Sequence, residues 1–140
     1  MLRAEVRLGQ FNHLTEDFRP NILFGDTPMI KKVLIADHGD AAVRLLWEFK
    51  RVGVKTVTVY TEEDHSSAHV QLADETICIG KTLKSYNSDW HRIISAAEIS
   101  EADAIHPGDG PLSTHERFAE VCGEIGIRCL GRNAEQGGFT

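Results

Sequence analysis

Two short segments hold the side chains of this chain that are best suited to chemistry. One reads Ala36-Asp37-His38-Gly39-Asp40, the other His106-Pro107-Gly108-Asp109-Gly110. A carboxylate beside an imidazole is the ordinary material of general acid–base catalysis, and Asp37 with His38 supplies such a pair on paper. Adjacent residues seldom aim at one substrate atom, so the same pair reads equally well as turn chemistry. In the second segment proline fixes one backbone angle, while Gly108 and Gly110 let the chain turn tightly or approach a ligand closely. His106 is expected either to join Asp37 and His38 in chemistry or to satisfy backbone groups of a strand-to-helix turn. The ligand-edge candidates are therefore Asp37, His38, Gly39, His106, Pro107, Gly108, Asp109 and Gly110. No residue is assigned a catalytic role, and no metal site is expected.

Both segments follow short apolar runs and open toward helical patterns. Val33-Leu34-Ile35-Ala36 makes a first strand. After it Ala42, Leu45, Leu46 and Phe49 recur at i, i+3, i+4 and i+7, the face of an amphipathic helix that should stop at Gly53. Thr56-Val57-Thr58-Val59-Tyr60 is rich in β-branched residues and makes a second strand. A short helix over 67–73 leads to a third strand, Thr76-Ile77-Cys78-Ile79. Asn87 or Ser88 is expected to cap a third helix, with Trp90, Ile93, Ile94 and Ala97 on one face. Ala102-Asp103-Ala104-Ile105 makes the fourth strand. Ser113 and Glu116 have the spacing of a capping box for a helix buried through Phe118, Val121, Cys122 and Ile125 and ended by Gly126. Ile127-Arg128-Cys129-Leu130 makes a fifth strand.

Strands that alternate with helices, through connections too long for hairpins, imply an α/β fold. The expectation is a doubly wound, Rossmann-like parallel sheet of about five strands with helices on both faces. Ligands of such sheets sit outside the carboxyl ends of the strands. The residues placed there are 37–40, 61–64, 80–84, 106–111 and 131–133.

Three familiar chemistries fit that edge poorly. A dinucleotide site wants G-x-G-x-x-G after the first strand, so that pyrophosphate meets a bare helix start. Here the turn offers Gly39 alone, flanked by Asp37 and Asp40, which repel phosphate. A phosphoacceptor receiver needs an aspartate after the third strand, where this chain has Gly80-Lys81-Thr82. Those three residues supply only the tail of a P-loop.

The 140 residues suit a single domain, and a composition of 41% hydrophobic and 26% charged residues is that of an ordinary globular protein. A net charge of -6 without a Lys/Arg cluster speaks against nucleic acid as a partner. No apolar run approaches the roughly 18–20 residues that cross a bilayer, so no membrane partner is expected. Cys78, Cys122 and Cys129 lack metal-ligand spacing and read as small buried thiols in a reducing cytoplasm. Residues 1–28 show no sustained periodicity and are expected to be a mobile extension, or an upstream misassigned start. An amphipathic arm carrying Val6, Leu8, Phe11 and Leu14 toward a partner is the alternative. Met29 reads as a natural start for a domain over 29–133, with 134–140 as a tail.

Over 29–133 the chain resembles the N-terminal domain of the biotin carboxylase family, the ATP- and bicarbonate-using component of acetyl-CoA, propionyl-CoA and pyruvate carboxylases. The resemblance is carried by Lys32-Val33-Leu34-Ile35-Ala36, Gly53-Val54-Lys55-Thr56-Val57, His69-Val70, Leu72-Ala73-Asp74-Glu75 and Lys84-Ser85-Tyr86. It continues through residues 94–99 and Ala102-Asp103-Ala104-Ile105-His106-Pro107-Gly108. It implies a Rossmann-like unit placed before an ATP-grasp domain. Departures gather at the carboxyl edge. The family pattern Ala-Asn-Arg-Gly-Glu meets residues 36–40, and His-Pro-Gly-Tyr-Gly-Phe-Leu-Ser-Glu-Asn meets residues 106–115, with Asp109, Pro111, Thr114 and His115 substituted. Gly-Pro-Ser meets Gly131-Arg132-Asn133.

The resemblance also implies ATP, Mg and biotin as the cofactors of the full-length family, bound by its ATP-grasp and C-terminal domains. None is expected to bind this chain by itself, which should then not carboxylate biotin. Its implied partner is an ATP-grasp portion or a complete carboxylase subunit, and a non-catalytic module docking onto a carboxylase is the alternative. The family's first helix contributes to a dimer contact, which makes Arg44, Trp47 and Arg51 the dimer-surface candidates. Arg44 keeps a basic residue there, whereas Trp47 and Arg51 stand where the family commonly has a basic and an acidic one.

Overall fold

The computed structural model describes residues 30–131. The expectations for the extension over 1–28, its arm, the start at Met29, the edge positions Arg132 and Asn133 and the tail over 134–140 lie outside these residues.

Nine elements follow one another: β1 (Lys32–Ile35), α1 (Gly39–Arg51), β2 (Lys55–Tyr60), α2 (Ala68–Leu72), β3 (Glu75–Cys78), α3 (Trp90–Ser100), β4 (Ala104–His106), α4 (Glu116–Glu124) and β5 (Arg128–Cys129). The strands form one sheet in the order β3-β2-β1-β4-β5, and every pairing is parallel. The expected doubly wound α/β sheet is therefore present. Its strand order reverses between β1 and β4.

β1 shows why the sheet needs cover on both sides. Leu34 and Ala36 enter a core with Ile93, Ala97, Phe118 and Cys122, whereas Val33 and Ile35 enter another with Ala42, Leu46 and Ala73. Strict alternation thus sends neighbouring residues to opposite layers, α3 and α4 on one side, α1 and α2 on the other. Burying an aliphatic side chain of this size contributes on the order of 1.5–3 kcal/mol. Asp74 ties the second layer to the sheet. Its carboxylate accepts the Thr56 N–H at 2.9 Å and sits 3.4 Å from the Lys50 ammonium. Burial opposes ionisation of Asp74, but the Thr56 N–H, Lys50 and the Thr56 hydroxyl outweigh it and hold the carboxyl below the usual range.

Glycine ends α1 and α4 as expected. Gly53 has φ 82° and donates to the Lys50 carbonyl, while the Val54 N–H reaches Phe49 at 3.0 Å. Gly126 has φ 83°, and the Ile127 N–H reaches Cys122 at 2.8 Å. Both are closures that need a left-handed residue.

Helix starts differ from the sequence-based expectations. The N-cap of α3 is Asp89, not Asn87 or Ser88. Its carboxylate turns back to accept the Lys84 N–H at 2.9 Å, so the turn before the helix takes it rather than the helix itself. Nor does the Ser113–Glu116 capping box form. Ser113 belongs to a tight turn over Pro111–Thr114, where its hydroxyl donates to the Gly110 carbonyl at 2.8 Å. His115 takes the N-cap instead. Cys122 is buried and Cys129 half-buried, but Cys78 is exposed. It lies on the edge strand β3, where alternate residues are exposed.

Candidate functional site

In open α/β sheets the ligand crevice lies where the strand order reverses. Here the protein's own side chain fills part of that crevice. Asp37, directly after β1, is buried, and its carboxylate accepts the His38 N–H at 2.8 Å and the Asp109 N–H at 3.0 Å. Gly108 makes the approach feasible. Its φ is 70°, and a Cβ there would overlap the Asp37 carboxylate and come within 2.6 Å of the Asp37 Cβ. Gly110 is different, with φ -81° and only Asp37 Oδ1, at 3.9 Å, near the place of a Cβ. Of the two glycines expected to shape this turn, Gly108 alone needs to be glycine. Pro107 is buried beneath it.

Asp37 and the 106–110 turn are thus brought together, while the imidazoles point elsewhere. The exposed His38 ring meets Tyr86 edge-on at 5.7 Å between centroids. The His106 ring faces Phe49 at 6.2 Å, and its Nδ1 accepts the Gly108 N–H at 3.0 Å. His106 therefore satisfies backbone within its own turn, and Asp37, His38 and His106 do not converge on one point. Asp109 is exposed and lies 3.3 Å from the Arg44 guanidinium, an ion pair in open solvent that contributes little to stability. Gly39, with φ 67°, opens α1 with no atom near the place of its missing Cβ.

An open cleft of about 460 Å³ lies beside the partly filled crevice. Asp37, Thr61, Asp64, Lys84, Tyr86 and Pro111 are among the residues that line it. Tyr86 donates its hydroxyl to the Asp37 carbonyl at 3.4 Å. Burial first, then the carboxylates of Asp64 and Asp37, pushes this phenol well above its ordinary range, so it remains a neutral donor. The sheet-edge rule reached 61–64 and 80–84. It did not reach Tyr86, which enters the cleft from the long connection between β3 and α3.

A smaller hollow of about 330 Å³ lies against the start of α1, lined by His38, Gly39, Asp40, Asp64, Ser67 and His69 among others. His69 is buried, and its Nε2 has no hydrogen-bond partner. Burial lowers its basicity and nearby His38 adds to this, while Asp64 opposes it, with a net shift downward. His69 carries no periodic or turn signal that marks it as buried. Arg44, Trp47 and Arg51 share one exposed stripe of α1, with Trp47 55% accessible.

The Asp37 carboxylate already accepts the His38 and Asp109 amides, and its charge repels phosphate. Among the described residues no group of three or more His, Cys, Asp or Glu is placed to hold a metal ion. None of the described helices is long and apolar enough to cross a membrane.

The fold and its edge define a doubly wound, Rossmann-like α/β domain, and the comparisons place it in a family. The model of the biotin carboxylase N-terminal domain matches residues 29–136, and the chain belongs to that family. It is 44% identical over 108 residues to biotin carboxylase 1 of Bacillus subtilis, covering 76% of this chain and 24% of that protein. Biotin carboxylase of Haemophilus influenzae is 47% identical over 109 residues, with the same coverage of 76% and 24%. The structure of a biotin carboxylase–β-γ-ATP complex from Campylobacter jejuni superposes with a TM-score of 0.69 at 41% identity, over 76% of this chain and 25% of that one. The chain thus spans about a quarter of the length of these relatives, and corresponds to their N-terminal domain.

Proposed function

We propose that residues 29–133 serve as the N-terminal domain of a biotin carboxylase. Joined to or docked on an ATP-grasp portion, they would take part in ATP-dependent carboxylation of biotin within a biotin-dependent carboxylase of the cytoplasm. The observation that carries this reading is the family match over 29–136 on the doubly wound parallel sheet that the sequence implied. ATP, Mg and biotin are assigned to the rest of such an enzyme, because the resemblance places their binding groups in its ATP-grasp and C-terminal domains. The ligand-edge residues Asp37, Gly108 and Asp109 would then act structurally, by holding the rim in shape for the neighbouring domain.

The test is bicarbonate-dependent ATP hydrolysis. The purified 140-residue chain is expected to show none, and an ATP-grasp fragment of a carboxylase lacking its own N-terminal domain is expected to gain turnover when the chain is added. Hydrolysis by the chain alone overturns the assignment of ATP to the ATP-grasp portion. No gain on mixing overturns the docking role.

A second reading, a non-catalytic module that docks onto a complete carboxylase, is favoured by Trp47. This large exposed apolar side chain stands on the α1 stripe between Arg44 and Arg51. A binding assay between the chain and a complete carboxylase, repeated with Trp47→Ala, tests it. Loss of binding in the variant supports docking through α1, and absence of binding at high micromolar concentration removes the reading.

A further inference from the structure

Helix α4 begins on an imidazole. His115 sits at the N-cap with φ -85° and ψ 104°, and its Nδ1 accepts the Phe118 N–H at 3.0 Å. Such an acceptor satisfies one of the N–H groups that a helix start leaves without an internal partner. A histidine can do this only when neutral and carrying its proton on Nε2, because a charged ring donates at both nitrogens. Charging the ring therefore removes the cap and sets a positive charge at the positive end of the helix dipole. The family pattern places Asn here, a cap that does not titrate. In this chain the cap is an imidazole.

The neighbouring hydroxyls donate elsewhere. The Ser113 hydroxyl is turned to the Gly110 carbonyl at 2.8 Å, and the Thr114 hydroxyl to the Pro111 carbonyl at 3.4 Å. From α3, Trp90 faces the His115 ring at 5.5 Å between centroids, with His91 stacked on Trp90 at 3.9 Å and Asp89 preceding it. On α4, Phe118 lies 6.5 Å from the ring, Glu116 occupies the first turn, and Arg117 pairs with Glu120 at 2.8 Å. The turn over Pro111–Thr114 brings no titratable side chain.

We propose that His115 is a pH-sensitive latch: the neutral ring holds the first turn of α4 closed against the β4–α4 connection at the carboxyl edge, and the charged ring releases it. The consequence is local. Residues 111–118 would loosen on acidification while the sheet beneath them stays folded.

The experiment uses the full chain and two readouts by nuclear magnetic resonance. Imidazole nitrogen shifts near pH 8 should show His115 with its proton on Nε2. Hydrogen exchange of the Phe118 amide, measured from about pH 8 to pH 5, the span in which imidazoles charge, is compared among wild type, His115→Asn, His115→Ala and His91→Gln. The wild-type rate, divided by that of His115→Asn at the same pH, is expected to rise roughly fivefold on acidification, the effect of losing a typical cap. His115→Ala should exchange fast throughout, and His91→Gln should keep the wild-type response. A proton on Nδ1 at pH 8 overturns the latch, as does a wild-type to Asn rate ratio that stays constant with pH. So does a His91→Gln variant that has lost the response.

Discussion

Helices α1 and α4 both leave the carboxyl edge of the sheet with a histidine at the N-cap, yet only His115 uses its ring there. His38 has extended backbone, φ -142° and ψ 176°, and makes no side-chain cap. Its ring lies against Tyr86, and its backbone N–H is held by the Asp37 carboxylate. The turn after β1 is thus secured by a buried acid that also reaches across the sheet to the Asp109 N–H. The turn after β4 depends on that same acid for its first half and on a local imidazole for its second. Two strand–turn–helix units of the same kind are held by different physics, one by a long-range contact and one by a titratable cap.

Gly108→Ala should break the comparison most severely, because both turns meet at that glycine. A side chain there faces a φ of 70° and an overlap with Asp37, and backbone strain plus overpacking cost about 3 kcal/mol or more. Chemical denaturation should show this loss, and an unchanged midpoint would mean that the two turns are not in contact. Asp37→Ala comes next, at about 1–3 kcal/mol, since the His38 and Asp109 amides both lose their acceptor. If the turn after β1 were locally capped, the same measurement would register almost nothing.

A pH effect from His69 should be distinct from the local loosening proposed at His115. Burial lowers the basicity of His69 in the folded state, so the unfolded chain binds the proton more readily. Its contribution to stability is complete above the ordinary imidazole value of about 6.5 and is lost as pH falls below it. Thermal melts of His115→Asn between about pH 7.5 and 5.5 should therefore still decline on acidification, and a flat profile contradicts the assignment. The smallest effect belongs to His38→Ala. With no cap to lose and an exposed ring, it should lie within about 0.5 kcal/mol of wild type. A larger loss would place His38 beside His115 as a working cap.

Much of this was legible before any coordinates. The apolar run at Val33 and the i, i+3, i+4 spacing of Ala42, Leu45 and Leu46 give β1 and α1, because backbone geometry forces side-chain direction to repeat with fixed periods. Gly53 and Gly126 marked helix ends for the same local reason: a left-handed residue needs no Cβ. The lettering of residues 102–108 was enough to place the chain beside its family. Helix starts were less legible. Ser113 and Glu116 had the spacing of a capping box, but the tight turn over Pro111–Thr114 moved the boundary and handed the cap to His115.

The chain by itself determined which segments are strands and helices, most of the faces they bury (Ile125, expected inside, is exposed) and the lineage to which they belong, since all of these follow from local periodicity and residue order. Only the tertiary structure decided what the edge residues do. Asp37 and Asp109 are 72 positions apart, and nothing local tells that one would hold the backbone of the other. Whether an aspartate beside a histidine is an acid–base pair or the fastening of two turns depends on which amides lie within 3.0 Å, and the packing of β1 against β4 sets that distance.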